Sequence, residues 1–539
     1  MEKSLTIRAL ILLFGIMTII SCQDKKKPII FPKTDLALEH LIPKPLKIVP
    51  TNSAFGLDKN TAIYTSQNVD GFEEVGEFLS QKINDKIALS VPVNESSSEA
   101  IDKVIYINQS DSTALKTKES YQLYIRQDSI IINSKTAAGA FRAIQTLRQA
   151  IPMQSNDTLA EHKMWLIPSG KIIDSPNFEY RGAMLDVARH FFSIEDVKKY
   201  IDILAYYKFN ALHLHLSDDQ GWRIEIKSWP KLTEIGGSSE VGGESGGFYT
   251  QEQFKDLVKY AADRHIMIIP EIDMPGHTNS ATVSYPILNG NGKTPKIYTG
   301  THVGFSTLDT RKDIVYKFID DVVREIVAIS PAPYFHIGGD ESLVTKKKDF
   351  IHFINKAEKI VQKHGKMAIG WDEVVQADLE KTSIIQYWNR TDENALKAAD
   401  KGLKLIFSPA KKAYLDMMYN EDSKYGLKWA GLIPVDTAYN WSPEKYVKGI
   451  TKKNILGIEA PLWSETISNI EELEHMAFPR VIGYAELGWS TEENRNWDNY
   501  KVRLANQAPY LDRMNVHYYP SKLIDWKKSK YTYKTIVKD

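Results

Sequence analysis

From Tyr180 onward the chain alternates short hydrophobic runs with helix-like segments, and this alternation restricts the fold more than any other feature. The runs fall at 182–187, 211–216, 266–269, 334–337, 367–370, 383–387, 403–407 and 456–458. Parallel strands need a crossover between them, so strands that alternate with helices predict an α/β fold built on a parallel sheet. Eight of them in order predict a (β/α)8 barrel over 176–490. That span exceeds the usual barrel of roughly 250 residues, so long strand-to-helix loops are required. They are visible at 217–250 and 409–452. The first is glycine-rich from Gly236 to Gly247, which suits either a mobile lid or, the favoured reading, simple flexible packing.

A chain of 539 residues needs more than one core, and the region 38–175 reads as a smaller α+β domain ahead of the barrel. Its short β-branched runs surround two helix candidates, 71–83 and 137–151. In the second, Phe141, Ile144, Leu147 and Ile151 recur at helical spacing. Residues 491–539 form a polar, aromatic extension expected to pack on the barrel.

Residues 1–22 read as an export signal. Lys3 and Arg8 precede an apolar stretch from Ala9 to Ile20 that is short for a membrane span and ends Ser21-Cys22. Cys22 is the sole cysteine, and its setting resembles the lipidation site of bacterial lipoproteins, with 23–37 as a polar tether. An incidental cysteine in an ordinary signal peptide is the alternative. Either way no internal disulfide can form, and an N-terminal lipid is the only expected contact with a membrane. The 68 basic residues equal the 68 acidic ones, so no overall field would recruit nucleic acid.

If the barrel reading holds, the residues just after each strand carry the chemistry. Strand one is followed by Arg189, strand two by Asp218, strand three by Asp273 and His277, and strand four by Asp340 and Glu341. Later strands supply Trp371, Trp388, Tyr414 with Asp416, and Trp463 with Glu465. Each alone has a bland reading as core or surface. Together, flat apolar walls with a few polar anchors suit a sugar ring, whose C–H faces stack on indoles while its hydroxyls need directed hydrogen bonds. His213 and His215 could instead begin a metal site, but the histidines after His336 fall in helices, loops or the tail. Inward-facing, hydrogen-bonded roles are expected for both, with neither metal nor cofactor.

Five motifs sharpen this reading. They are Arg-Gly-Ala-Met-Leu-Asp-Val-Ala-Arg-His-Phe-Phe at 181–192, His-Leu-His-Leu-Ser-Asp-Asp-Gln-Gly-Trp-Arg at 213–223, Pro-Glu-Ile-Asp-Met-Pro-Gly-His at 270–277, His-Ile-Gly-Gly-Asp-Glu at 336–341 and Gly-Trp-Asp-Glu at 370–373. On these residues the chain resembles the family 20 glycoside hydrolases, the β-N-acetylhexosaminidases, and 38–175 resembles their accessory domain.

The resemblance implies an exo-acting retaining hydrolase of glycans ending in N-acetylhexosamine. Ordinary retaining glycosidases set two carboxyl groups about 5 to 5.5 Å apart on opposite faces of the sugar. Asp340 and Glu341 are chain neighbours with Cα atoms about 3.8 Å apart, a poor arrangement for that task. In the family the 2-acetamido carbonyl of the substrate attacks instead. The likeness makes Glu341 the acid and base, Asp340 the group orienting the acetamido N–H, and Tyr414 the group holding its oxygen. It assigns Asp218 and His277 to a relay toward Glu341 with Asp273 supporting His277. It gives Arg189, Asp416 and Glu465 to sugar hydroxyls, and Trp371, Trp388, Trp429 and Trp463 to the pocket wall. A silent sugar-binding protein on the same barrel is the rival, and retention of both Asp340 and Glu341 argues for an enzyme.

Overall fold

In the computed structural model, which describes residues 31–95, 103–153, 163–290, 293, 295–388 and 391–527, a mixed sheet leads into a closed barrel. The sheet has seven strands: β1 (Lys47–Leu57), β2 (Ala62–Thr65), β3 (Val93–Glu95), β4 (Val104–Gln109), β5 (Tyr121–Ile125), β6 (Ser129–Ser134) and β7 (Trp165–Asp174). Their order is β1-β7-β5-β6-β4-β2-β3. Two helices, α1 (Phe72–Ile87) and α2 (Ala137–Ala150), pack together and against the sheet. In α2 the apolar spacing does what it predicts, burying Phe141, Ile144 and Leu147 completely. Helix α1 runs four residues past the expected end at Ile83, because Ile87 continues the buried stripe one turn on. Ala88 in the left-handed region then closes it.

The barrel closes through β8 (Tyr180–Asp186), β9 (Ala211–His215), β10 (Met267–Glu271), β11 (Tyr334–His336), β12 (Met367–Trp371), β13 (Ile384–Tyr387), β14 (Lys404–Phe407) and β15 (Ile455–Leu462). All eight pair in parallel, and β15 returns to β8 in register from Gly457 opposite Tyr180 to Leu462 opposite Leu185. Closure leaves no exposed sheet edge, and each strand delivers its carboxyl end to one face.

Arg181, next to the start of β8, joins the two domains. It is 1% exposed and donates to both oxygens of Glu119, at 2.6 and 2.9 Å. Arg142 of α2 donates to the same carboxylate at 2.7 Å. Beyond the barrel, Tyr510 stacks on Tyr206 at 3.9 Å and Arg503 pairs with Glu486 at 2.6 and 2.7 Å, so the last helices lie against the body of the molecule.

Two segments differ from, or decide between, the readings above. Residues 31–37 are not all tether, since Leu36 is fully buried beside Gly170 of β7. An apolar side chain at that spot has a core to enter. The glycine-rich loop is packed around Arg223, whose guanidinium donates to the carbonyls of Gly237, Ser239 and Gly247 at 3.2, 2.9 and 3.1 Å. Cys22 and the export signal lie outside the described residues.

Candidate active site

At the end of β11 the backbone turns through Gly338 (φ 65°) and Gly339 (φ 101°) before presenting Asp340 and Glu341. Both glycines are required. A Cβ on Gly338 would lie 1.8 Å from Asp273 Oδ1, and one on Gly339 would lie 2.4 Å from Val374 Cγ1. Asp273 accepts the backbone N–H of Gly339 at 2.9 Å. Asp273 therefore anchors the turn, and its support of His277 is electrostatic, with the two side chains brought within 4.8 Å of one another. The partner of His277 is Asp218, whose Oδ1 lies 3.1 Å from Nδ1. The other ring nitrogen stands 3.8 Å from both Asp340 Oδ2 and Glu341 Oε2.

The charges around this turn are strongly unequal. Burial, and then the neighbouring Asp340 charge, raises the Glu341 pKa. Burial opposes a charged His277, yet Asp218, Asp273 and Asp340 together hold its pKa well above the ordinary value. Burial likewise opposes a charged Asp218, but Arg189 and His277 keep it well below the usual carboxylate range. Arg189 donates to Asp218 at 2.9 Å and to Asp186 at 3.3 Å.

A cavity of about 360 Å³ opens at this face. Arg189, His277, Asp340, Glu341, Trp388, Tyr414, Asp416, Trp429, Trp463 and Glu465 all line it, so the fold brings most of the expected residues together. Trp388 and Tyr414 lie nearly parallel with centroids 6.3 Å apart, and Trp429 stands edge-on to Tyr414 at 5.8 Å. Trp429 is 43% exposed and so forms the rim. Trp388 is fixed by donation from Nε1 to Glu373 at 3.0 Å. Trp463 lies beneath the Arg189 guanidinium at 5.0 Å.

Trp371 departs from expectation. It has no exposed surface and is absent from the cavity wall. It sits behind Trp463 at 5.6 Å, donating from Nε1 to Glu271 at 2.9 Å. Its place at the end of an inward-facing strand position put it one layer too deep. Thr301, Val303 and Leu427 join the wall from long loops, where no sequence pattern singled them out.

Several buried polar atoms at the cavity have no hydrogen-bond partner among the described residues. They are Arg189 Nε, His277 Nε2, Asp340 Oδ1, both oxygens of Asp416, and Glu465 Oε2. Burial and the Glu465 charge push Asp416 well above the usual carboxylate range. Buried groups of this kind are costly unless matched, which suits a ligand rich in hydroxyls.

Below the cavity, His213 and His215 face inward as expected, each between two carboxylates. His213, Glu271 and His336 also bring ligand-type atoms within 4.8 Å of one another, but both nitrogens of His213 are occupied by carboxylate oxygens. A larger, mostly apolar cavity of about 820 Å³ lies at the domain seam, where Tyr180, Met267 and Leu456 meet Ala138 and Arg142, away from the acids.

A parallel barrel with an acid pair, a histidine and aromatic walls at its carboxyl face defines a carbohydrate-cleaving (β/α)8 enzyme. Family models agree: "Glycosyl hydrolase family 20, catalytic domain" matches residues 178–492, and "Glycosyl hydrolase family 20, domain 2" matches 39–175. The chain belongs to glycosyl hydrolase family 20. It is 38% identical over 410 residues to the beta-N-acetylhexosaminidase of Cellulomonas fimi, covering 76% of this chain and 82% of that protein. It is 35% identical over 532 residues to a beta-hexosaminidase of Porphyromonas gingivalis, covering 94% and 67%. The structure of the GH20 beta-N-acetylhexosaminidase from Streptomyces coelicolor superposes with a TM-score of 0.86 at 42% identity, covering 92% of this chain and all of that one (100%).

Proposed function

We propose that this chain is an exo-acting, retaining β-N-acetylhexosaminidase that releases terminal GlcNAc or GalNAc by substrate-assisted catalysis. The observation that carries the reading is the placement of Asp340 and Glu341: neighbours in the chain, both stand 3.8 Å from one nitrogen of His277. Two carboxylates so placed do not flank opposite faces of an anomeric carbon. The attacking oxygen is then the substrate's own acetamido carbonyl.

Glu341 protonates the glycosidic oxygen as the C1–O bond breaks and the carbonyl oxygen bonds to C1, giving an oxazolinium ion. Glu341 then takes a proton from water, which attacks C1 and reopens the ring with net retention. Its raised pKa suits the first step, because the acid must hold its proton near neutrality. Asp340 Oδ1, without a protein partner, accepts the acetamido N–H as positive charge spreads onto it, and the Tyr414 hydroxyl donates to the acetamido oxygen. Arg189, Asp416 and Glu465 take the ring hydroxyls, while Trp388, Trp429 and Trp463 supply apolar faces. A cavity of about 360 Å³ favours a single terminal sugar over an internal chain segment.

Glu341→Gln is expected to abolish release of p-nitrophenol from its β-GlcNAc glycoside while sugar binding survives, and unchanged turnover would refute the acid assignment. The matching β-glucoside, lacking the acetamido group, is expected to be hydrolysed negligibly. Equal rates on the two would remove the substrate-assisted route.

Lys3, Arg8, the apolar stretch to Ile20 and Ser21-Cys22 support export followed by lipid anchoring in the envelope. In cells, Cys22→Ser is expected to move the protein from the membrane fraction to the soluble one. A protein that stays with the membrane after that change argues against the anchor.

A further inference from the structure

Six fully buried side chains form an unbroken acid–base file through the barrel to the catalytic pair. Glu459 Oε1 lies 2.9 Å from His213 Nδ1, and His213 Nε2 lies 2.9 Å from Glu271 Oε2. The same oxygen is 2.5 Å from His215 Nδ1, and His215 Nε2 is 2.7 Å from Asp218 Oδ2. Asp218 Oδ1 then meets His277 at 3.1 Å, and His277 faces Glu341 at 3.8 Å.

Both ring nitrogens of His215 face carboxylate oxygens, as do both of His213. A neutral imidazole has one N–H, so one of its nitrogens would oppose a carboxylate lone pair to lone pair. Each ring therefore carries two protons, and negative and positive groups alternate along the file.

Asp218 is the junction. Its Oδ2 accepts from His215 and, at 2.9 Å, from Arg189; its Oδ1 accepts from His277 and, at 2.6 Å, from the backbone N–H of Asp219. Resting on the function proposed above, we infer that His215 and Glu271 are positioning residues for the reaction: their ion pair locks Asp218 so that it serves Arg189 and His277 together and sets the field at Glu341. Neither touches the cavity.

The surrounding charges are consistent with that role. Burial opposes protonation of His215, but Glu271 and Asp218 hold it in the charged form. Glu271 also faces His213, His336 and the Trp371 N–H, and Trp463 stands edge-on to His215 at 4.9 Å. Glu341 itself is influenced by Asp340, His277, Arg189 and Asp218, and His277 by Asp218, Asp273 and Asp340.

The test is the pH profile of kcat/KM on an aryl β-GlcNAc glycoside for the unaltered enzyme, His215→Gln, Glu271→Gln and the double variant. Removing the positive ring lets Glu341 keep its proton to higher pH, so the alkaline limb of His215→Gln moves upward by about half a unit or more. Removing the negative charge moves the limb of Glu271→Gln the other way, and the charge-balanced double variant returns toward the original position. Each single variant loses roughly tenfold or more in kcat/KM. A purely structural role would lower activity or melting temperature with both limbs unmoved, which overturns the inference. Failure of the unaltered enzyme to cleave the substrate would instead sink the proposed function. Should the variants not fold, imidazole ¹⁵N spectra of the unaltered protein decide: His215 is expected to be doubly protonated at pH 8, and a neutral ring there overturns the idea.

Discussion

Asp273 Oδ1 accepts the backbone N–H of Gly339 at 2.9 Å, so a residue from the end of β10 anchors the turn that presents Asp340 and Glu341. Its second oxygen has no protein partner among the described residues, and burial with the Asp340 charge pushes its pKa well above the usual carboxylate range. As an anchor it works as a hydrogen-bond acceptor, a task that an amide oxygen can also perform. Asp273→Asn is expected to retain most activity, whereas Asp273→Ala loses about 1–3 kcal/mol of stability and roughly tenfold in kcat, read by denaturant unfolding and steady-state kinetics. Equal losses in the two variants would argue that the charge matters instead.

Gly338→Ala places a Cβ 1.8 Å from Asp273 Oδ1 at a φ of 65°. The same turn therefore suffers a clash and backbone strain at once. We expect a loss of about 3 kcal/mol or more, or no soluble protein, measured by urea unfolding.

Asp416 and Glu465 are buried carboxyl groups with unmatched oxygens facing one cavity. A ligand hydroxyl that binds there fills a specific need. Asp416→Ala is expected to cost about 1–3 kcal/mol of transition-state binding, a drop of roughly 10- to 100-fold in kcat/KM on the aryl glycoside. An unchanged kcat/KM would place the sugar elsewhere in the pocket.

The domain junction has its own acid sensitivity. Burial pushes Glu119 up, but Arg181 and Arg142 outweigh it and hold the pKa at about 2 against an ordinary 4.5. A depressed carboxylate stabilises the fold fully above the ordinary value, and that contribution is lost as pH falls from 4.5 toward about 2. The shift corresponds to about 3 kcal/mol. Stability measured between pH 5 and pH 2.5 is expected to fall less steeply in Glu119→Gln than in the unaltered protein, from a lower starting point.

The barrel was legible because its strands are short, apolar and separated by helical spacing, and because glycines and acids stand directly after them. Parity within a strand also told that His213 and His215 point inward. It could not name their partners, since Glu271 and Glu459 lie on other strands whose register with β9 is a property of the closed sheet. A lone Glu459 inside the apolar run Ile455–Leu462 is the signal that could have exposed the file. Trp371 was placed one layer too near the ligand because depth along the barrel axis, unlike side of the strand, has no period in the sequence. The hydrogen bond from Gly339 to Asp273 was not legible for a related reason: it depends on the fold of the Gly338-Gly339 turn.

Arg181 has a further consequence for how this molecule can be reshaped. Its guanidinium is sealed inside the barrel's lower rim, and the carboxylate that neutralises it belongs to the preceding domain. A truncated barrel beginning near residue 176 would carry an unanswered cation beneath its first strand, so fusions and deletions at this seam must carry a replacement anion with them.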